Sequence, residues 1–223
     1  MFKLKKEKID YDNKIGHGSF GTVYPYGEKN VVKYMRTAKP EDLILFIQEI
    51  VIGFGNEHPH ILPYKGFFIG YDKSDWDIYI KMPRMKESLF DVLRQRQEKS
   101  QYFSIEELVN YFYGLAHAME YLHNKKIAHR DLQPKNILFD EQGEVFISDI
   151  GCATFIIPEE YSANMPSIVG CIPYVCPEAK NITHKKDYFL ADSWSLGMIF
   201  LEMCDLKRIT GYSTDQELMD ILA

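Results

Sequence analysis

The chain changes its hydrophobic period once, and that change limits it to a fold with a small sheet at one end and a helical body at the other. Residues 9–35 carry short apolar runs cut by turn residues: Ile9 and Tyr11, a glycine-rich turn, Val23-Tyr24, a tight turn around Gly27, then Val31-Val32-Lys33. A helix is expected over 41–52, where Leu43, Phe46, Ile47 and Ile50 recur on one face. Two further strands are expected over 61–69 and 77–82, separated by a polar turn at 72–75. From there the period becomes helical. Ser104 and Glu107 form a capping box for a helix over 104–124, whose apolar face is Leu108, Phe112, Leu115, Met119 and Leu122. Another helix is expected from about Asp192, with Trp194, Leu196, Ile199 and Phe200, and a last one over 214–222 behind a Thr214/Glu217 box. The fold class is α+β, and 223 residues suffice for two small lobes with real cores.

Between the helical segments lies the chemistry. In His129-Arg130-Asp131-Leu132-Gln133-Pro134-Lys135-Asn136 an acid and an amide stand five residues apart in a loop stiffened by proline. Thirteen residues later comes Asp149-Ile150-Gly151, a second acid on a turn. One carboxylate to accept a hydroxyl proton, with an amide oxygen and a second carboxylate suited to a hard cation, is what phosphoryl transfer requires. Near the N-terminus, Gly16-His17-Gly18-Ser19-Phe20-Gly21-Thr22-Val23 has glycines spaced to let backbone lie close over phosphates. A dinucleotide-binding turn has the same glycines but must open a helix; Val23-Tyr24-Pro25 reads as strand, which excludes it.

In this order and spacing the motifs resemble those of the protein kinases: the HRDLxxxN loop, the DFG turn with Ile150 for Phe, and the glycine-rich loop. The resemblance runs from Gly16 to about Leu222 and implies a bilobal fold, with an N-lobe over 1–82, a hinge over 83–86 and a C-lobe over 87–223 that lacks its last helices. It implies that Asp131 is the base, that Asn136 and Asp149 ligate magnesium, and that Lys33 pairs with Glu49 to hold the phosphates of ATP. Gly16, Gly18 and Gly21 would cover those phosphates. Val23 and Leu138 would sandwich the adenine, beneath Val31, with Met82 as gatekeeper. Pro83 would offer its carbonyl and Met85 its N–H. Gly170-Cys171-Ile172-Pro173-Tyr174-Val175-Cys176-Pro177-Glu178 resembles the GTxPYxAPE segment of Ser/Thr kinases, and Asp192-Ser193-Trp194-Ser195-Leu196-Gly197 their D-x-W-S-x-G helix. The resemblance also implies that Arg130 meets an activating phosphate, for which Ser167 is the first candidate beside Thr154, Tyr161 and Ser162.

Four departures stand out. Gln133 replaces the lysine that neutralises γ-phosphate charge, and Cys171 replaces the threonine that touches both base and lysine. Gly53 falls where an apolar side chain is usual, and with Gly55 should weaken the helix end. The family's last helices, with the arginine that pairs with Glu178, have no counterpart, so a partner or a second copy is expected to cover the C-lobe. These departures support the alternative of a pseudokinase scaffold; Lys33, Glu49, Asp131, Asn136 and Asp149 support an ATP- and magnesium-dependent Ser/Thr protein kinase.

Bulk properties bound the partners. A formal net charge of -6 argues against a nucleic-acid binder that works by phosphate neutralisation. The apolar stretch over 43–54 is too short to span a bilayer and carries Gln48 and Glu49, so no membrane role is expected. Cys152, Cys171, Cys176 and Cys204 show neither Cys-x-x-Cys nor zinc spacing. A reduced cytoplasmic or nuclear setting and a protein substrate are the expectation.

Overall fold

The computed structural model describes residues 4–18, 21–156, 174–177 and 187–206. Its first half is a five-stranded antiparallel sheet: β1 (Gly16–Gly18), β2 (Gly21–Pro25), β3 (Asn30–Thr37), then α1 (Pro40–Gly55), β4 (Gly66–Asp72) and β5 (Asp75–Pro83). The strand order is β1-β2-β3-β5-β4, so α1 crosses between neighbours β3 and β4–β5 and lies on one sheet face. Val31, Met35, Ile78, Ile80 and Met82 turn inward with Phe46 and Ile50 of α1. On the other face the N-terminal segment packs Ile9 against Tyr26, Val32 and Tyr79.

The second half follows β6 (Glu87–Ser88): α2 (Leu89–Glu98), α3 (Ile105–Asn124), β7 (Ile127–Ala128), β8 (Ile137–Phe139), β9 (Val145–Ile147), β10 (Thr154–Phe155) and α4 (Asp187–Asp205). Both α2 and α3 open on complete capping boxes, Ser88 with Asp91 and Ser104 with Glu107, which satisfy amides that have no partner inside the helix. Leu115, Met119 and Leu122 of α3 bury themselves against Leu196, Ile199 and Met203 of α4 and Ile137 and Ile147 of the small sheet. The observed architecture is the α+β, two-part layout expected. Among the described residues no helix is long and apolar enough to cross a membrane.

Several expected boundaries move. The strand expected over 61–69 begins only at Gly66, because 58–64 docks on β9 instead: Leu62 donates to the Ile147 carbonyl at 2.8 Å and Ile147 to that of His60 at 2.8 Å. Helix α1 continues through Gly53 and Gly55, so the glycines do not end it early, and Ile47 is 41% exposed rather than part of the buried face. Residues 10–15 are irregular, α2 is a helix beyond those expected, and α4 already includes Asp187 rather than beginning near Asp192. The polar turn at 72–75 is present, with Lys73 and Ser74 at positive φ. The helix expected over 214–222 lies outside the described residues.

Gly114 of α3 marks where the helix meets the 58–64 segment. A Cβ there would lie 2.9 Å from His60 ring atoms, and the His60 ring is held by Val145 O at 2.9 Å from Nδ1. Gly114→Leu should force the ring away and lower stability by about 1–3 kcal/mol, read as a reduced urea midpoint with an unchanged slope.

Candidate active site

Lys33 lies on β3, where the alternation of the strand turns it inward beneath β2 and opposite Ile80. Its ammonium is buried, and it donates to Glu49 Oε1 at 2.8 Å, Glu49 Oε2 at 3.0 Å and Asp149 Oδ1 at 2.8 Å. Glu49 reaches it from the middle of α1 and is 1% exposed. Burial, the largest influence, pushes the Lys33 pKa down, but the two carboxylates outweigh it and hold it above the ordinary lysine value. Burial likewise raises Asp149, yet the Lys33 charge and hydrogen bond win and its pKa is lowered. Asp149 keeps 31% of its side-chain surface exposed, so the cluster opens to solvent on that side.

Asp149 adopts a left-handed backbone conformation with φ 55°. Such a conformation costs a non-glycine residue free energy that its surroundings must supply. Here the next turn supplies it: Ile150 is buried in the core, and Gln48 of α1 donates to the Ala153 carbonyl at 2.7 Å. Gly151 sits tightly against the cluster: a Cβ there would meet Glu49 Oε2 at 3.0 Å and Lys33 Nζ at 3.3 Å, so the ion pair would have to shift by a few tenths of an ångström to admit one.

The loop bearing Asp131 is anchored by Asp192 of α4. Asp192 accepts from the Arg130 N–H at 2.7 Å and the His129 N–H at 2.8 Å, and its Oδ2 lies 2.9 Å from His123 Nε2. Arg130 also sits at positive φ, so this acid holds a strained backbone in place. His129 accepts at Nδ1 from the Asp131 N–H, leaving Nε2 to donate to the Ser148 carbonyl at 3.1 Å.

Both oxygens of Asp131 are held by amides. Gln133 Nε2 donates to Oδ1 at 3.0 Å and Asn136 Nδ2 donates to Oδ2 at 3.0 Å. Asn136 Nδ2 also reaches the Asp131 carbonyl at 2.8 Å. Burial raises the Asp131 pKa, and the Asp149 charge adds to the rise against His129, Gln133 and Asn136. Lys135 is turned away, its ammonium 5.3 Å from the Phe90 ring centroid. Arg130 has its guanidinium over the Tyr188 ring and donates to the Cys152 carbonyl at 3.4 Å. Burial pushes the Cys152 thiol up to about 12, which keeps it in the thiol form near neutral pH.

The residues expected around a nucleotide come together. Val23, Met85 and Leu138 are partly buried against the cluster that contains Val31 and Met82, and Pro83 ends β5 opposite Asn30. Gly16 pairs with Val23 and Gly18 with Gly21 in the β1–β2 hairpin. Gly21 has a steric reason to be glycine: a Cβ would lie 2.6 Å from the Tyr34 carbonyl oxygen. Ser19, Phe20, Ser167, Tyr161, Ser162, Cys171 and Glu178 lie outside the described residues. Thr154 begins β10, paired with Ala128. Donor chemistry at Asn136 and Asp149 fits a hard cation: with its nitrogen donating to Asp131, the Asn136 amide keeps its oxygen as acceptor, and Asp149, which follows the Ser148 bonded to the Asn136 carbonyl, is held ionised. Among the described residues no group of three or more His, Cys, Asp or Glu is arranged to hold a metal ion, so further ligands would come from phosphate and water.

This arrangement of sheet, helices and paired acids defines a protein kinase domain. The chain belongs to that family, whose pattern it matches over residues 9–222. It is 31% identical to a G-type lectin S-receptor-like serine/threonine-protein kinase of Arabidopsis thaliana, over 95% of this chain and 25% of that protein. It is 30% identical to an Aurora kinase of Patiria pectinifera, over 90% of this chain and 48% of the relative. A cyclin-dependent kinase of Arabidopsis thaliana is 30% identical over 95% of this chain and 35% of its own length. The chain thus spans between a quarter and about half the length of these curated relatives.

Replacing Asp192 by Ala strips the acceptor from two backbone amides of a buried loop. At about 1–3 kcal/mol for each buried group left unsatisfied, a loss of about 2–6 kcal/mol is expected in urea unfolding. Lys33→Met should also destabilise, and with a signature in pH. Asp149 has a depressed pKa, so its pairing with Lys33 is present above the ordinary aspartate value and is lost as pH falls through the depressed one. The midpoint difference between wild type and Lys33→Met should therefore be largest near neutrality and shrink in acid.

Proposed function

We propose that this domain transfers the γ-phosphate of ATP to serine or threonine hydroxyls of protein substrates. The observation that carries the reading is the pairing of two held groups: the Asp131 carboxylate fixed at both oxygens, and the Lys33 ammonium fixed by Glu49 and Asp149. Membership of the family and the names of the serine/threonine kinases it resembles support it.

In this reading 1–82 and 87–223 are the two lobes, joined by a hinge at 83–86. Val23 and Leu138 enclose the adenine, the Pro83 carbonyl and Met85 N–H meet its edge, and Gly16, Gly18 and Gly21 lie over the phosphates. Lys33, steadied by Glu49, donates to the α- and β-phosphates. Asn136 and Asp149 would hold magnesium, which neutralises phosphate charge when bound. Asp131 orients the acceptor hydroxyl and takes its proton at whichever carboxylate oxygen an amide yields. A raised pKa brings such a base nearer to working pH. A reduced intracellular setting belongs to the same reading, supported by Cys152, Cys176 and Cys204, which form no disulfide. A protein partner or a second copy of the chain also belongs to it, supported by the row Ile105, Val109 and Tyr113 that α3 turns outward, Ile105 being 81% exposed.

A second reading, a nucleotide-binding scaffold with little transfer, is favoured by one contact. Gln133 can orient Asp131 but brings no positive charge to a departing phosphate. Loss of such a charge costs on the order of a hundredfold in rate.

Two measurements decide. ATP with magnesium should raise the melting temperature of the wild type, and the shift should shrink in Lys33→Met and in Asp149→Asn; no shift at millimolar nucleotide in folded protein overturns both readings. Radiolabelled transfer separates them, and kcat/KM should fall on acidification with an apparent pKa above the ordinary aspartate value. Gln133→Lys should raise turnover about tenfold or more and move that acid limb to lower pH, because a cation beside Asp131 favours its ionised form.

A further inference from the structure

Gly53 leaves a vacant position on the inner face of α1, one turn after Glu49, and Tyr64 fills it. A Cβ at residue 53 would overlap the Tyr64 ring, with Cγ of that ring 2.8 Å away. The close approach is set by the chain on either side of the tyrosine. Residues 58–62 are tied to β9 through Leu62 and His60, and Lys65 donates to the Lys81 carbonyl at 2.8 Å at the head of β4. Among the described residues, Tyr64 is the one partly buried side chain packed against both large apolar clusters, the one under the sheet and the one among the helices. Its hydroxyl ends on Glu49, donating to Oε1 at 2.8 Å.

We propose that Tyr64 is a positioning residue, whose ring occupies the side-chain space given up by Gly53 and whose hydroxyl holds Glu49 in its two-pronged grip on Lys33. The assignment rests on the kinase reading above and adds a member to its machinery. Glu49 Oε1 receives two donors, Lys33 Nζ and Tyr64 Oη, at 2.8 Å each, while Oε2 receives Lys33 at 3.0 Å. Without the tyrosine hydroxyl, nothing among these contacts prevents the carboxylate from turning about its last torsion and trading the two-pronged grip for a single bond. Burial keeps the Tyr64 pKa well above its ordinary value, so the hydroxyl stays a donor through the working pH range. No residue larger than glycine at 53 is compatible with this ring, so the pair Gly53–Tyr64 acts as one unit. A smaller residue at 64 would fill neither the space nor the hydrogen bond.

The test has a chemical and a packing arm. Tyr64→Phe keeps the ring and removes the donor; kcat should fall about tenfold while the KM for ATP changes less than threefold. In a Glu49→Gln background the same change should have no further effect, because the tyrosine acts through that carboxylate. An equal loss in both backgrounds, or no loss in either, overturns the proposal. In urea unfolding Gly53→Ala should destabilise when Tyr64 is present and stabilise beside Tyr64→Leu, where the helix propensity of alanine is no longer opposed by overlap. The same sign in both backgrounds overturns the packing half. Should the wild type transfer no phosphate, the kinase reading fails; the Tyr64 unit is then judged by whether Tyr64→Phe and Glu49→Gln couple in unfolding, with additive effects overturning it.

Discussion

One buried cation between two carboxylates organises this molecule. Lys33 comes from the sheet, Glu49 from the helix that crosses it and Asp149 from the turn below, so its contacts to Glu49 Oε1 and Asp149 Oδ1, at 2.8 Å each, fix three separate elements at one point. Such a cluster is a poor device for stability, since stripping water from three charges costs about as much as their attraction returns. What it secures is geometry and charge. With Glu49 and Asp149 against one lysine, the group carries one surplus negative charge, placed on the acid that remains partly open to solvent. That is where a cation accompanied by phosphate would meet it. The turn that follows Asp149 is packed close to the ion pair, so that a Cβ at Gly151 would crowd Glu49 Oε2 at 3.0 Å.

A second acid does for the helical half what Lys33 does for the sheet. Asp192 is used as an acceptor by the backbone rather than as a charge partner of a lysine or arginine, and its two oxygens bind successive amides of the loop that ends in Asp131. A carboxylate serving two N–H groups fixes a backbone more firmly than one serving a mobile side chain, because peptide groups have little freedom left to lose. The strain at Arg130 and Asp149 sits at the two places these acids control. Position of the reactive groups is thus set by long-range contacts to α4 and α1, and the loops themselves are short.

What could be read from the chain follows from the range of the interactions involved. Strands β2, β3 and β5, the α3 helix and its capping box, and the spacing of Lys33, Glu49, Asp131, Asn136 and Asp149 are local patterns, and they were legible. Helix α2 carries the same kind of box at Ser88 and Asp91, so its signal was present in the sequence. Strands β8 and β9 are three residues each, too short to show a period. The misplaced strand start before Gly66 comes from the docking of 58–64 on β9, which no local window contains. The partnership of Gly53 with Tyr64 belongs to this class too: a glycine eleven positions before a tyrosine means nothing until a loop returns the ring to the helix.

The departures at Gly53 and Gln133 differ in kind. Volume missing at Gly53 can be restored by any well-placed side chain, and Tyr64 supplies it along with a donor to Glu49. At Gln133 the missing quantity is charge, which an amide cannot restore. Gln133 replaces the position of a cation but only its hydrogen-bonding part, holding Asp131 Oδ1 at 3.0 Å. Lys135 offers no remedy, since its ammonium rests over Phe90. The hydrogen bond that orients Asp131 is therefore present while Gln133 brings it no positive charge. Orientation and charge stabilisation contribute separately to lowering a barrier. In the kinase reading proposed above, a site that keeps the first and gives up part of the second is expected to transfer slowly with its geometry intact, and restoring the single charge tells it from a site whose geometry has decayed.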